Sequence, residues 1–285
     1  MIRKICLFSV VGYFFSATFC PLAFGGKVKA FVSIIPQVYF VERVGGRFVD
    51  VEALVGPGRS PATYEPTPKQ MARLAESQVY FRIGVPFEHG FIDKLTGVNP
   101  DLKMVDTREG VDMRFFDSSE GSKTPDPHIW LDPKLVRIQA GTICNALCDV
   151  LPEFSEEFRS NLRTFIQDLY QIDREIDEIL VPVKGQSFYV FHPAFGYFGD
   201  SYGLKQVAVE IEGKEPSPRQ LSRLLEQAER EGVRIIFVQP QFSRSEAEAV
   251  ARGLDGAVVP IDPLAADYLH NLKSMAEILR EGLMK

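Results

Sequence analysis

Short apolar runs alternate with longer segments of helical periodicity along most of the chain. The short runs are typical of buried strands, and they are Val28–Ile34, Val49–Val55, Val79–Ile83, Ser187–Phe191, Lys205–Val209, Val233–Val238 and Ala257–Ile261. The longer segments predict helices at Thr67–Ala75, Pro133–Leu151, Ser217–Glu231, Ser243–Leu254 and, as a closing helix, Leu264–Met284. This alternation predicts an α/β protein with mostly parallel sheets flanked by helices.

One amphipathic pattern is much longer than the others and lies between the two groups of strands. Its apolar residues recur at three- and four-residue spacing, at Phe154, Phe158, Leu162, Phe165, Ile166, Leu169, Ile172, Ile176, Ile179 and Leu180. A helix from Phe154 to Leu180 would extend roughly 40 Å. We therefore predict an N-terminal α/β lobe over 26–152, a linking helix over 153–182 and a C-terminal α/β lobe over 183–285.

The first 25 residues are typical of a secretory signal peptide rather than of a folded element. Arg3 and Lys4 precede the apolar run Ile5–Phe19, and Ala23-Phe24-Gly25 follows as a small-x-small cleavage site. The alternative is a membrane anchor, but the run is shorter than the ~20 residues of a spanning helix. We expect export to the periplasm with cleavage.

Charge and cysteine content narrow the range of partners. The full chain carries a formal net charge of −6, which becomes −8 when Arg3 and Lys4 are lost with the signal. An acidic chain without basic clusters argues against nucleic acid and anionic membrane as partners. Cys144 and Cys148 are four residues apart in a helical pattern, and we expect them to be buried apolar side chains.

Three potential metal ligands stand beside prolines. They are His128 in the stretch Asp126–Pro133, His192 directly after a predicted strand, and Asp262 directly after another. Ligands of open α/β sheets gather beyond the carboxyl ends of the strands, and imidazole with carboxylate suits zinc, iron or manganese. The alternative from the residues alone is two hydrogen-bonded histidines and an aspartate that begins a turn or caps a helix.

Other polar residues near the predicted strand ends are weaker candidates. His89 and His270 are left out of the site, since His270 falls within the last helix and is expected to face solvent. Glu210, Glu212 and Glu215 follow a predicted strand, where a solvated acidic loop is the favoured interpretation. The alternative is that one of these carboxylates faces a bound cation.

Nearly the whole chain beyond residue 25 resembles the zinc and manganese substrate-binding proteins of bacterial ABC transporters. The resemblance lies in the order and spacing of Ser33–Pro36, Tyr64–Pro68, Asp126–Pro133, Phe191–Phe198, Glu215–Pro218 and Asp262–Leu264. It implies two α/β lobes joined by a long helix with the metal between them. It also implies His128, His192 and Asp262 as metal ligands, and an ABC permease as partner.

The chain departs from that family's pattern at the first ligand. Where the family has Asp-Pro-His-x-Tyr-Glu, this sequence has Ser60–Glu65 with Ala62 in the histidine's place. A methyl group donates no electron pair, so three protein ligands would leave one position open. Water, an anion, or a substitute carboxylate such as Glu65 or Glu212 would fill it.

The function expected from these observations is that of a monomeric periplasmic receptor, not an enzyme. It would capture a divalent transition metal, zinc or manganese first and iron as a further candidate, and deliver it to the permease. Two alternatives remain open at this point. One is a metal-dependent hydrolase that uses the open position, and the other is a receptor repurposed for a non-metal ligand.

Overall fold

Two four-stranded parallel sheets form the centres of two lobes in the computed structural model, which describes residues 26–116, 124–210 and 216–284. The first sheet has the order β2-β1-β3-β4, and its strands are β1 (Val28–Val32), β2 (Val49–Ala53), β3 (Val79–Arg82) and β4 (Lys103–Asp106). The second has the order β6-β5-β7-β8, with β5 (Ser187–Val190), β6 (Lys205–Ala208), β7 (Ile235–Val238) and β8 (Ala257–Pro260). The predicted fold class is confirmed.

Helices cover these sheets and join the lobes. They are α1 (Ile35–Gly45), α2 (Pro68–Ala75), α3 (Glu88–Val98), α4 (Pro133–Val150), α5 (Ser155–Leu180), α6 (Gly196–Tyr202), α7 (Pro218–Arg230), α8 (Arg244–Arg252) and α9 (Tyr268–Leu283). Both α2 and α7 begin with a hydroxyl cap followed by proline, since the Thr67 and Ser217 side chains accept from the third helical N–H.

Four elements were not predicted from the sequence, namely α1, α3, α6 and β4. Strand β1 ends at Val32, and α1 begins at Ile35 with Pro36 in its first turn. The apolar run Val28–Ile34, which was predicted as one strand, therefore contains the end of the strand and the residues that lead into the helix. Strand β4 is an edge strand of four residues whose burial is irregular, and Met104 within it is exposed. A short edge strand of this kind lacks the continuous apolar run that marks a buried one.

Helix α5 is the linking helix. It has 26 residues, and its buried face is formed by Phe158, Phe165, Leu169, Ile172, Ile176 and Leu180, as the periodicity predicts. The C-terminal helix α9 also reaches the first lobe, because the Tyr268 ring packs edge-on against Phe40 of α1 at 4.7 Å between centroids. The limits of the domains stay a prediction.

Two further expectations concern the thiols and the N-terminus. Cys144 is buried and Cys148 is only partly so, with its thiol 3.9 Å from the Ser155 carbonyl oxygen, so the expectation of full burial was wrong for Cys148. Burial is the main cause that raises the pKa of Cys144 to about 12. The signal-peptide residues 1–25 lie outside the described part of the chain. None of the described helices has the length and hydropathy needed to cross a membrane.

Candidate metal centre

The carboxyl ends of both sheets open onto one cavity of about 650 Å³ between the lobes. Residues that follow the strands supply much of its wall: Ser60–Thr63 after β2, Gly84–Pro86 and, in the first turn of α3, His89 after β3, Arg108 after β4, His192–Ala194 after β5, Gln241 and Phe242 after β7, and Pro263 and Leu264 after β8. The rest comes from the chain before α4, namely Phe116, Thr124, Pro125, Pro127, His128 and Trp130. This is the place where parallel α/β sheets bind ligands.

The segment that carries His128 is fixed to the opposite lobe through Trp130. The Trp130 indole N–H donates to the Pro263 carbonyl oxygen at 2.8 Å, and the Tyr268 hydroxyl donates to the Trp130 carbonyl oxygen at 2.6 Å. Both bonds lie in the buried interior. They hold the His128 segment beside the chain that follows Asp262.

The His128 imidazole is oriented by Asp126. Its Nδ1 lies 2.6 Å from Asp126 Oδ1, and the same oxygen accepts the His128 backbone N–H at 3.0 Å. Asp126 is completely buried, and the Arg114 Nε lies 3.7 Å from its second oxygen. Because an ionised carboxylate only accepts, the proton is on Nδ1 and Nε2 keeps a free lone pair.

The His192 imidazole is oriented in the same way by Glu210. The two atoms Nδ1 and Glu210 Oε2 are 2.6 Å apart, and Gln239 holds the His192 backbone through bonds of 3.2 Å and 2.7 Å. Burial lowers the pKa of His192 from its ordinary value, while the bond to Glu210 opposes that shift. The free imidazole is therefore kept neutral, with Nε2 available as a donor atom.

The two imidazoles lie next to each other. Their ring centroids are 5.3 Å apart with an angle of 71° between the planes. Phe242 stacks on His192 at 4.7 Å between centroids, and Trp130 packs against His128 at 5.1 Å. Aromatic rings thus restrict the rotation of each imidazole in addition to its carboxylate partner.

Asp262 is not brought into the same group. It is half-buried, and its Oδ1 accepts from the Gln241 side-chain N–H at 3.0 Å and from the Leu264 backbone N–H at 2.9 Å. It does not line the cavity, and within 26–116, 124–210 and 216–284 no three His, Cys, Asp or Glu side chains are grouped so that they could hold a metal ion. Asp262 as a ligand stays a prediction.

The position left by Ala62 is on the cavity wall. Ala62 lies there with Ser60, Pro61 and Thr63, whereas Glu65 is exposed and is not part of the wall. Glu212, the other predicted substitute, lies outside the described residues. His89, which sequence reasoning left out, does line the cavity, and His270 is exposed on α9 as expected.

Sequence reasoning assigned no role to Asp126 and left Glu210 in a solvated acidic loop, although a signal existed for both. Asp126 is two residues before His128 with proline between them. Strands β5 and β6 pair in register with Val190 opposite Ala208, so His192 and Glu210 are each two residues beyond the paired ends. Counting onward from the predicted strands would have placed the two side chains opposite each other.

The family is decided by a match over nearly the whole chain. Residues 31–282 match the sequence profile of the zinc-uptake complex component A periplasmic family, ZnuA. The chain belongs to this family. A crystal structure of a ZnuA superposes with a TM-score of 0.85 at 36% identity. The superposition includes 90% of this chain and 99% of the ZnuA chain.

Two relatives match most of this chain. A Chlamydia muridarum protein whose name describes it as metal-binding is 27% identical over 250 residues, with 87% of this chain and 89% of the relative covered. The high-affinity zinc uptake system protein ZnuA of Yersinia pestis is 26% identical over 277 residues, with 87% of each chain covered. The family resemblance seen in the sequence is confirmed.

Proposed function

We propose that this ZnuA-family chain captures a divalent transition metal, zinc in the first place, between His128 and His192. One imidazole comes from each predicted lobe, so a bound ion would bridge them. The chain would then deliver the metal to an ABC permease. The observation that carries the proposal is the pair of adjacent imidazoles, each held by a carboxylate, on one interlobe cavity.

The separation of the two rings fits a shared ion. A Zn–N bond of about 2.05 Å places the ion roughly 3.2 Å from each ring centroid, and a tetrahedral angle then predicts about 5.2 Å between centroids. The rings are 5.3 Å apart. The centroid separation is thus compatible with both imidazoles binding one tetrahedral ion.

The partners of Nδ1 support the same assignment. Imidazoles that ligate metals donate their other N–H to a carboxylate or carbonyl, which fixes the tautomer and makes the donor nitrogen more basic. Both histidines have such a carboxylate at 2.6 Å.

Zinc is favoured over manganese by the donor atoms. Imidazole nitrogens suit zinc, whereas manganese prefers a site rich in carboxylate and carbonyl oxygens. The Yersinia pestis relative is named for zinc uptake, which agrees with this choice. We propose Asp262 as a third ligand, with the position at Ala62 open or filled by Glu65, Glu212 or a molecule from solution.

The remaining parts of the proposal concern location, assembly and the absence of catalysis. The chain would act in the periplasm after removal of residues 1–25, as a monomer and as a receptor rather than an enzyme. A family of periplasmic zinc-uptake components favours transport over the hydrolase alternative. The acidic net charge, −6 for the full chain and −8 without Arg3 and Lys4, argues against nucleic acid as a partner.

Metal titration of residues 26–285 tests the proposal. We expect one zinc ion per chain, with affinity lowered at least a hundredfold in His192→Ala and in His128→Ala, because each loses a donor bond. His270→Ala is the matched control, since His270 is exposed on α9 away from the cavity. Absence of zinc, manganese and iron binding, or equal affinities in all four proteins, would rule the proposal out.

A further inference from the structure

The cavity between the lobes has an unusual charge balance for a cation site. Among the described residues its wall contains no aspartate and no glutamate, and Arg108 is its only permanently charged side chain. Within the described part of the chain, a bare divalent cation would therefore meet a positive charge on this wall, while the carboxylates of Asp126 and Glu210 lie behind the imidazoles rather than on the wall itself.

Arg108 lines the cavity, and within the described chain one nitrogen of its guanidinium is left without a partner. Its Nε and Nη2 donate to the two oxygens of Asp106 at 2.9 Å and 2.7 Å, and Nη1 has no acceptor among the described residues. The guanidinium lies against Gly84, which has a φ of +83°, and a Cβ at that position would collide with it. The backbone there both adopts a left-handed conformation and leaves room for the cation.

The other charges of this cluster face away from the cavity. Asp106 also accepts from Arg82 at 2.6 Å, and Glu88 is buried, where it accepts from Ser33 and from the Ile83 N–H. The cluster of Arg82, Arg108, Asp106 and Glu88 is balanced overall, but only Arg108 lines the cavity. The positive charge of Arg108 is thus the one charge of this cluster that borders the cavity.

The volume of the cavity is also larger than an ion requires. A divalent ion with six water molecules occupies roughly 180 Å³ at about 30 Å³ per water. The cavity holds about 650 Å³. Volumes of several hundred Å³ with apolar walls and few polar groups are typical of sites for small organic molecules. Prolines, Phe116, Trp130 and Phe242 form much of this wall.

We infer that the cargo enters as a complex of the divalent metal with a small polycarboxylate anion. Resting on the proposed function, this inference adds the chemical class of the bound species. Carboxylate oxygens of the anion fill the coordination position that Ala62 leaves open and neutralise the ion. A further carboxylate accepts from the free N–H groups of Arg108. The imidazoles of His128 and His192 bind the metal directly.

Equilibrium dialysis of residues 26–285 against zinc and radiolabelled citrate tests the inference, because both species are measured in the same sample. We expect zinc and citrate to be retained together in equal amounts. Retention of citrate alone and retention of zinc alone should each be at least tenfold weaker than joint retention.

Three variants separate the role of Arg108 from a general effect of the cluster. Arg108→Gln should lower joint retention about tenfold or more, since a hydrogen bond to a charged group is lost. Arg82→Gln is the matched control, because Arg82 pairs with the same Asp106 but does not line the cavity, and we expect less than a threefold change. Arg108→Lys keeps the charge without the fork and should give an intermediate loss. Thermal unfolding checks that each variant is folded.

The outcomes distinguish this inference from the proposed function. Zinc retained equally without citrate, and lost in His192→Ala, would overturn the inference and leave the proposed function standing. If zinc is retained equally without citrate and this retention is lost in Glu212→Gln, the chain itself supplies the missing carboxylate. That outcome would also overturn the inference. Citrate retained without zinc would overturn both in favour of an anion receptor. Retention of neither would overturn both as well.

Discussion

Replacement of Glu210 by glutamine should weaken zinc binding without changing the shape of the site. Glu210 is 9% exposed and its Oε2 lies 2.6 Å from His192 Nδ1. The amide oxygen of glutamine still accepts the Nδ1–H, so the imidazole keeps its tautomer. The negative charge is lost, and with it the added basicity of Nε2.

The size of the effect follows from the geometry of this pair. Loss of such a carboxylate typically lowers metal affinity 10- to 100-fold, which is about 1.4 to 2.7 kcal/mol. We expect the upper half of this range, because the contact is short and burial limits screening by solvent. The matching change at Asp126, which is fully buried, should have a similar effect.

Competition with a chromophoric zinc chelator at pH 7.5 measures the affinity of Glu210→Gln. Glu231→Gln is the control, since Glu231 also accepts from an aromatic side chain, the Tyr189 hydroxyl at 3.0 Å, but lies outside the cavity. An affinity of Glu210→Gln within twofold of the unaltered chain would contradict the reasoning. It would mean that the carboxylate does not act on the metal-binding nitrogen.

Two further predictions concern pH. Zinc affinity should fall between pH 7.5 and 5.5 as imidazole is protonated. Because burial lowers the pKa of His192, the loss of affinity due to this residue should come below pH 6.5. Calorimetry at several pH values measures this loss. Asp106 stabilises the fold above its ordinary pKa of 3.8, and this contribution is lost as pH falls to the folded-state pKa of about 2. Asp106→Asn should thus lower the free energy of unfolding by about 1 to 2 kcal/mol at pH 7, a figure already discounted for partial exposure. Urea unfolding at several pH values should show this difference from the unaltered chain narrowing below pH 3.8. A difference that does not change with pH would contradict the assignment.

Much of the fold follows from local signals in the sequence. Caps such as Thr67-Pro68 and Ser217-Pro218 mark helix starts because hydroxyl and proline satisfy or replace the first unpaired N–H groups. Buried parallel strands read as continuous apolar runs. The elements missed are those that depend on tertiary contacts, such as the seven-residue helix α6 with Tyr197 and Phe198 buried in the core.

The candidate site was predictable to a lesser extent. His128 and His192 could be chosen because they follow or precede proline near strand ends, and the structure places them side by side. Asp262 could be chosen on the same grounds, but its Oδ1 is engaged by Gln241 and the Leu264 N–H. Which side chain accepts from which neighbour depends on rotamers and on the meeting of loops from both lobes. For Asp262, unlike Asp126 and Glu210, no local pattern in the sequence indicates these partners.

Direct bonds between the lobes explain how the two imidazoles are held together before any ion binds. Arg114 of the first lobe pairs with Asp200 at 2.7 Å, and the Tyr197 hydroxyl accepts the Arg114 N–H while donating to the Asp126 carbonyl oxygen at 3.0 Å. The bond between Ser201 and Asp132 at 2.6 Å adds to them.

These bonds anchor the residues on either side of His128 to helix α6, which follows His192. The free energy of bringing the imidazoles together is thus supplied by folding rather than by the metal. Release of the metal must then act against the same bonds. A permease that separates the lobes would have to disrupt the Arg114–Asp200 ion pair and the hydrogen bonds of Tyr197 and Ser201. Release without lobe separation would instead require Glu210 or Asp126 to move away from its imidazole.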